Sequence, residues 1–251
     1  MSSCVVVVPC YNESARLDRE AFTDFAGRSG VELLFVDDGS TDDTLALLNG
    51  LAERCPAHIH VHVLAANVGK AEAVRLGLLE ACRRAPTYVA FWDADLATPL
   101  DDVVAFKQLL DSRPDIDIVF GSRINLLGRS VHRKLARHYV GRVFATAAAL
   151  VLRMGIYDTQ CGAKMFRVSD RFVQQLREPF VGGWIFDVEM IAREIAARRG
   201  TDLPRTHTII YEYPLTVWRD VAGSKIKLRD WFVVGANLGR IYFKYMWLRR
   251  G

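Results

Sequence analysis

No stretch of this chain is apolar for long enough to cross a bilayer. The first apolar run, Val5 to Val8, is short, ends at Pro9 and has no basic flank, which argues against a signal peptide. Elsewhere no uninterrupted run approaches the roughly 18–20 residues of a spanning helix. Cysteine is scarce and unpatterned: Cys4, Cys10, Cys55, Cys82 and Cys161 are odd in number and include no Cys-x-x-Cys pair. That argues against a disulfide framework or a zinc site, and predicts reduced thiols in a cytosolic chain. Linkers, internal repeats and low-complexity tracts are missing too, so one domain is expected. Carboxylates are absent from Ile118 to Tyr157, where Arg123, Arg129, Arg133, Lys134, Arg137, Arg142 and Arg153 accumulate. They are absent again after Asp230, where Arg240, Lys244, Arg249 and Arg250 follow.

What is present describes an ordinary globular chain. Its 251 residues are enough to bury a full core, and 51% hydrophobic with 25% charged residues excludes a disordered class. The net charge of +4 is modest, but its uneven distribution suggests a basic flank facing phosphate, nucleic acid or an anionic membrane. A solvated basic helix face is the plainer alternative, which composition leaves open.

The first half alternates strand-like and helix-like stretches. Strands are expected at Cys4 to Val8 (stopped by Pro9), Val31 to Val36, Ile59 to Leu64, Tyr88 to Trp92 and Ile116 to Phe120. Helices are expected at Ala15 to Ala26, Asp42 to Arg54 (capped by Ser40 or Thr41), Lys70 to Cys82 and Asp101 to Leu110. This rhythm and the apolar strands predict an α/β fold with a buried, mostly parallel sheet between helices. The second half loses the rhythm. One long helix is expected from Val131 to Met154, a strand near Lys164 to Arg167, helices after Ser169 and from Asp187 to Arg198, and a last strand at Ile209 to Tyr213. A final helix, Lys227 to Arg249, carries Trp231, Phe232, Tyr242, Phe243, Tyr245, Met246 and Trp247. It suits either a membrane interface or packing against the domain.

Four polar clusters fall at successive strand ends: Pro9-Cys10-Tyr11-Asn12-Glu13, Asp37-Asp38-Gly39-Ser40, Asn67-Val68-Gly69-Lys70 and Asp93-Ala94-Asp95. Taken singly, each is an ordinary turn or cap. Right-handed crossovers in a parallel sheet bring all four to one edge, where ligands of such sheets bind. There the carboxylates serve ribose or base hydroxyls, Lys70 serves a phosphate, and Asp93 with Asp95 offers hard oxygen donors for Mg²⁺ or Mn²⁺. Together they equip a nucleoside diphosphate site.

The ordered set Val-Val-Val-Val-Pro-Cys-Tyr-Asn-Glu, Val-Asp-Asp-Gly-Ser-Thr-Asp, Asn-Val-Gly-Lys, Asp-Ala-Asp and Gly-Ser-Arg resembles family 2 inverting glycosyltransferases of the GT-A fold. Asp158-Thr159-Gln160-Cys161-Gly162-Ala163-Lys164-Met165-Phe166 and Trp184-Ile185-Phe186-Asp187-Val188-Glu189 are similar to the polyprenyl-phosphate (dolichyl-phosphate) glucosyltransferase branch. The likeness runs from about Val5 to Lys225. It implies a GT-A domain over residues 1–226, with a nucleotide-binding half (1–122) and an acceptor half (123–226), then an amphipathic helix (227–251). Characterised eukaryotic members carry an N-terminal membrane helix and many bacterial relatives a C-terminal transmembrane hairpin. This chain begins at strand one and shows neither, so the expected placement is cytoplasmic, soluble or peripheral at the membrane.

By resemblance, Pro9, Tyr11, Glu13 and Asp38 hold base and ribose, with Asp37 supporting that loop. Lys70 sits by the nucleotide, while Asp93, Ala94 and Asp95 meet the metal-bound diphosphate. Arg123, Arg133 and Arg137, with Lys225, receive the acceptor phosphate. Asp158 lies near the reacting centre, Asp187 stands where related transferases keep their base, and Trp184 walls the sugar or packs in the core. The implied reaction is transfer of a hexose, glucose from UDP-glucose, to a polyprenyl phosphate.

A phosphate acceptor is already anionic near neutral pH and needs positioning more than deprotonation, whereas a sugar hydroxyl makes a base such as Asp187 or Asp158 essential. Both acceptors stay open at this point, as does an inactive nucleotide-sugar-binding module. An Asp-dependent phosphatase fits poorly, since Ala97 stands where that chemistry wants Thr or Val. Nucleic acid fits worst, because the basic residues lack interleaved aromatics.

Overall fold

The computed structural model describes residues 2–124, 127–128, 130–132, 135–219 and 228–247, and their side chains except those of 130–132, 135–140 and 228–231. Of the expected acceptor residues, Arg133 and Lys225 lie outside the described residues, and Arg137 is described only as helix backbone.

The first half alternates as expected: β1 (Cys4–Cys10), α1 (Arg19–Ser29), β2 (Glu32–Asp37), α2 (Thr44–Arg54), β3 (Ile59–Val63), α3 (Lys70–Cys82), β4 (Tyr88–Trp92), α4 (Asp101–Ser112) and β5 (Ile118–Ser122). The second half adds β6 (Ser130–His132), α5 (Leu135–Leu152), β7 (Ala163–Arg167), α6 (Asp170–Leu176), α7 (Phe186–Arg198), α8 (Thr206–Ile209), β8 (Ile210–Pro214), β9 (Val217–Arg219) and α9 (Leu228–Ile241). Seven strands make one sheet in the order β3-β2-β1-β4-β7-β5-β8, and β6 pairs separately with β9. Only β7 runs antiparallel within the large sheet.

Alternate residues of the inner strands enter two cores, which is why these strands read as unbroken apolar runs. Val6, Val8, Phe35, Ala90 and Trp92 pack beneath α1, α2 and α4. Val5, Val7, Val36, Val89 and Phe91 pack on the other face with α3, α5, α7 and α9. Gly77 lets α3 lie close against the sheet: a Cβ there would stand 2.5 Å from a Val7 methyl and 2.7 Å from one of Val36. That contact sets where Lys70, at the start of α3, meets the sheet edge.

Several element bounds differ from expectation, each for a local reason. Pro9 does not stop β1; it pairs with Val36, and the strand continues to Cys10. The Cys10 carbonyl accepts the Asp38 amide on the β2 side, so Pro9 turns its donorless nitrogen toward β4. Pairing with β4 has already ended at Val7–Phe91, so no ladder bond is lost. Helix α1 starts at Arg19 because Asp18 caps it, accepting the Ala21 amide at 3.0 Å, while the chain before it turns back on the Glu13 carbonyl. The long helix expected from Val131 is shorter, since residues 130–132 pair as a strand with Val217–Arg219. The tail is α9 followed by a π-helical turn, Tyr242–Trp247.

Candidate active site

The C-terminal ends of β1, β2 and β4 reach the same sheet edge. Because β7 is antiparallel, its first residue, Ala163, lies opposite Trp92, the last residue of β4. The Asp158–Gly162 loop is therefore delivered beside Asp93, and the Asp93 amide donates to the Gly162 carbonyl at 2.9 Å. Gly162 is required there, since a Cβ would fall 1.9 Å from Asp93 Oδ2.

Lys70, at the N-terminus of α3, places Nζ 2.5 Å from Asp93 Oδ1. Burial acts against the Lys70 cation, but Asp93, Asp187 and Asp95 outweigh it and raise its pKa. Asp95 accepts the Ala97 amide at 3.1 Å. Burial first, and the like charge of Asp93 second, push the Asp95 carboxyl above its ordinary value. A carboxylate crowded by a second one is what a shared cation relieves, so this donor set fits a divalent metal. Three or more clustered His, Cys, Asp or Glu ligands do not occur among the described residues.

The first two loops are stitched together. Asn12, held at φ 54°, accepts the Thr41 amide at 2.9 Å and donates its own amide to Ser40 Oγ at 3.1 Å. Glu13 is buried and paired with Arg16, while its amide donates to Thr44 Oγ1 at 2.7 Å. Pro9 is part-buried and Tyr11 exposed beside them. Asp37 is buried with Oδ1 lacking a hydrogen-bond partner among the described residues. Asp38 accepts the Val68 and Gly69 amides at 2.7 and 2.9 Å, so its carboxylate braces the loop that carries Lys70. Gly39, at φ 65°, crosses that loop where a Cβ would meet Ala66 and Asn67 backbone atoms at 2.6 Å.

On the other side of Asp93, the remaining carboxylates are held by cations. Arg123 grips Asp158 through Nε and a terminal nitrogen at 2.6 and 2.7 Å, and its amide adds a third bond at 3.1 Å. Burial opposes the Arg123 charge, yet Asp158 overrides it and raises the guanidinium pKa. Glu212 receives the Tyr157 and Asp158 amides, fixing the loop from β8. Asp187, in the first turn of α7, has Oδ1 2.5 Å from Lys164 Nζ and accepts from Gln160 Nε2 at 3.2 Å on Oδ2. Burial raises the Asp187 pKa, with Lys164 opposing.

Lys164 was not singled out from sequence. It is fully buried, donates to the Cys161 carbonyl at 2.5 Å and lies 5.1 and 5.2 Å from the Phe91 and Phe120 ring centres. Its signal was a lysine inside the apolar strand Ala163-Lys164-Met165-Phe166, since an inward lysine is rarely buried without a partner. Of the expected residues, Lys70, Asp93 and Asp95 gather at one point, and Asp187 is near enough to influence Lys70. Ala94 is buried between the two aspartates, and Trp184 is 54% exposed, not in the core.

Comparisons with known proteins agree with this geometry. The model of Glycosyl transferase family 2 matches residues 5–171. The chain is 31% identical to a dolichyl-phosphate beta-glucosyltransferase of Drosophila melanogaster, over 96% of this chain and 74% of that protein. It is 30% identical to the Homo sapiens protein of that name, over 96% and 75%. Among solved structures, glucosyl-3-phosphoglycerate synthase of Mycobacterium tuberculosis with Mn²⁺, UDP-glucose and phosphoglyceric acid superposes with TM-score 0.67 at 20% identity, covering 96% of this chain and 80% of that one. A mannosyltransferase of Pyrobaculum calidifontis with GDP-mannose and Mn²⁺ gives TM-score 0.58 at 21% identity, covering 97% and 63%. These likenesses carry the fold, while the family match and the near-full-length relatives carry the membership: the chain belongs to glycosyl transferase family 2 and is a glycosyltransferase with the GT-A fold.

Proposed function

We propose that this glycosyltransferase moves glucose, with inversion, from UDP-glucose to a polyprenyl phosphate of the dolichyl type. Residues 1–122 bind the donor and residues 123–226 the acceptor, and the tail that contains α9 meets the membrane interface. The relatives' names support the substrates. The observation that carries the acceptor is the state of the carboxylates: Asp158 is clamped by Arg123, and Asp187 is ion-paired with buried Lys164 and accepts one hydrogen bond from Gln160. Such carboxylates are poorly placed to take a proton from a hydroxyl, and an ionised phosphate needs no such base.

Asp93 and Asp95 would hold Mg²⁺ or Mn²⁺, which when bound neutralises charge growing on the departing diphosphate. Lys70 stands on Asp93 and is the cation that follows the diphosphate oxygens. Asp38 and Gly39 hold the Lys70 loop against the end of β2. Pro9, Tyr11 and Glu13 form the wall for base and ribose with Asp37 supporting that loop, whereas Asp38, expected with them, is taken up by the Val68 and Gly69 amides; the exposed Trp184 ring borders the sugar. Arg123, with Arg133, Arg137 and Lys225, positions the acceptor phosphate.

A second reading, transfer to a saccharide hydroxyl with Asp187 as base, is favoured by one fact: burial raises the Asp187 pKa and makes it a stronger proton acceptor. A donor panel with polyprenyl phosphate or a saccharide, scored by product mass, separates the two. Expected are a glucosyl-phospholipid product and loss of metal-dependent transfer in Asp95→Ala. A product on the saccharide alone sinks the phosphate acceptor, and full metal-dependent activity in Asp95→Ala sinks the metal role.

A further inference from the structure

At the edge of the sheet away from Asp93, an open cavity of about 400 Å³ lies among the C-terminal ends of α5 and α7, the start of α8 and the π-helical turn that holds Met246. Arg153, Arg198, Arg199, Arg205 and His207 line it, and no carboxylate among the described residues does. Its apolar wall is formed by Leu152, Ile195 and Met246. Asp187 lies in the first turn of α7 and Arg198 ends it, so at ~1.5 Å per residue the cavity is about 16 Å from the transfer site.

Cations at helix C-termini ordinarily answer the helix dipole, which accounts for Arg198 and Arg199. Arg198 is further matched by Glu194 and by Asp117 Oδ2 at 2.8 Å. The dipole does not account for Arg205, which precedes α8 and does not end a helix. Arg153 and Arg205 have no carboxylate partner among the described residues. Arg153 also sits at φ 51°, the left-handed position after a helix that glycine usually takes. That position closes α5, with the Arg153 amide on the Leu150 carbonyl and the Met154 amide on the Ala149 carbonyl. Four guanidinium groups around one cavity with no carboxylate in its lining, two of them without a carboxylate partner, favour an anion there.

We infer that this cavity is a second anion site that takes an organic phosphate, gripped by Arg153, Arg205 and His207 with Arg199 beside Met246. Guanidinium forks suit phosphate oxygens, and bare phosphate would leave the apolar wall uncovered, so the ligand carries an organic group. A soluble phosphate ester and a phospholipid headgroup share this chemistry.

The test uses the full chain. Glycerol 3-phosphate binding is followed by calorimetry, and flotation is measured with phosphatidylcholine vesicles with and without phosphatidate. The variants are Arg153→Gly, which also relieves the backbone, Arg205→Ala, and Arg54→Ala on a distant exposed face as control. Each cavity variant should weaken binding roughly tenfold, the size of one charge-assisted contact, while the control binds as wild type. Phosphate held at the transfer site would be indifferent to both cavity variants. Variant-sensitive binding of glycerol 3-phosphate supports the site with a soluble ligand, and variant-sensitive flotation alone supports it with a lipid headgroup. Absence of both, or binding that Arg153→Gly and Arg205→Ala leave unchanged, overturns it.

Discussion

Lys164 and Asp187 form an ion pair with almost no solvent around it, the ammonium at 0% and the carboxylate at 9% side-chain exposure. Taking two charges out of water is costly, and removing one partner leaves the other uncompensated. Lys164→Met should therefore destabilise the fold by about 3–5 kcal/mol in urea unfolding, and adding Asp187→Asn should restore part of the loss. A single variant as stable as wild type would contradict the pairing. Asp93, Asp95 and Lys70 were legible only as a set, because each is a local pattern after an apolar run and the parallel sheet brings those patterns to one edge. The grip of Arg123 on Asp158 was not, since the two are 35 positions apart and meet only across β5 and the loop before β7. Nor was the role of Gly162, whose missing Cβ makes room for a side chain from another strand.

Helix α2 shows what a cap does at the scale of an element. Ser40 and Thr41 were the expected caps, but both are tied to Asn12 in the neighbouring loop. Asp43 occupies the cap position without a side-chain cap bond, and Asp42 before it accepts the Thr44 amide at 3.0 Å and the Ser14 hydroxyl at 2.6 Å. The hydrogen bonds from Ser14 and Thr44 lower the Asp42 pKa from 3.8 to about 2. A carboxyl depressed by folding contributes stability fully above its unfolded pKa, and loses it as pH falls through the folded one. The stability gap between wild type and Asp42→Asn should thus be constant above about pH 4 and shrink toward pH 2. A gap independent of pH in that window would show that Asp42 acts without its charge. Strands and helices were legible because apolar period and length are local, whereas their ends depended on which neighbour took each polar group.

Across the whole molecule, the tail is wired to the site. Asn237 Nδ2 donates to the Gly182 carbonyl at 3.0 Å, and Tyr245 donates to buried Glu189 at 2.9 Å. Glu189 also accepts the Gly182 amide at 2.6 Å and pairs with Arg193 at 2.7 Å, so the tail braces the segment leading into Asp187. Tyr245→Phe should cost about 1 kcal/mol in chemical denaturation, the ordinary worth of one such bond. No change would mean that Arg193 and Gly182 alone satisfy Glu189. Phe232, Val233, Phe243 and Trp247 remain exposed on the same tail, so it both packs and presents an apolar surface. Among the described residues no helix is long and apolar enough to cross a membrane.

Taken alone, the order of residues was sufficient for the alternating half of the fold, the four strand-end clusters and the transferase motifs, all of which are local in sequence. It also marked the acid-free basic stretch, though not which of its arginines pair with carboxylates from elsewhere in the chain. Tertiary structure decided that. The antiparallel β7 carries Asp158 and Gly162 to Asp93, Arg123 pairs with Asp158, and Lys164 lies buried under Asp187. Electrostatic partners are chosen by distance in space after the strands have paired, so charge compensation within the site could only be read once the sheet order was known.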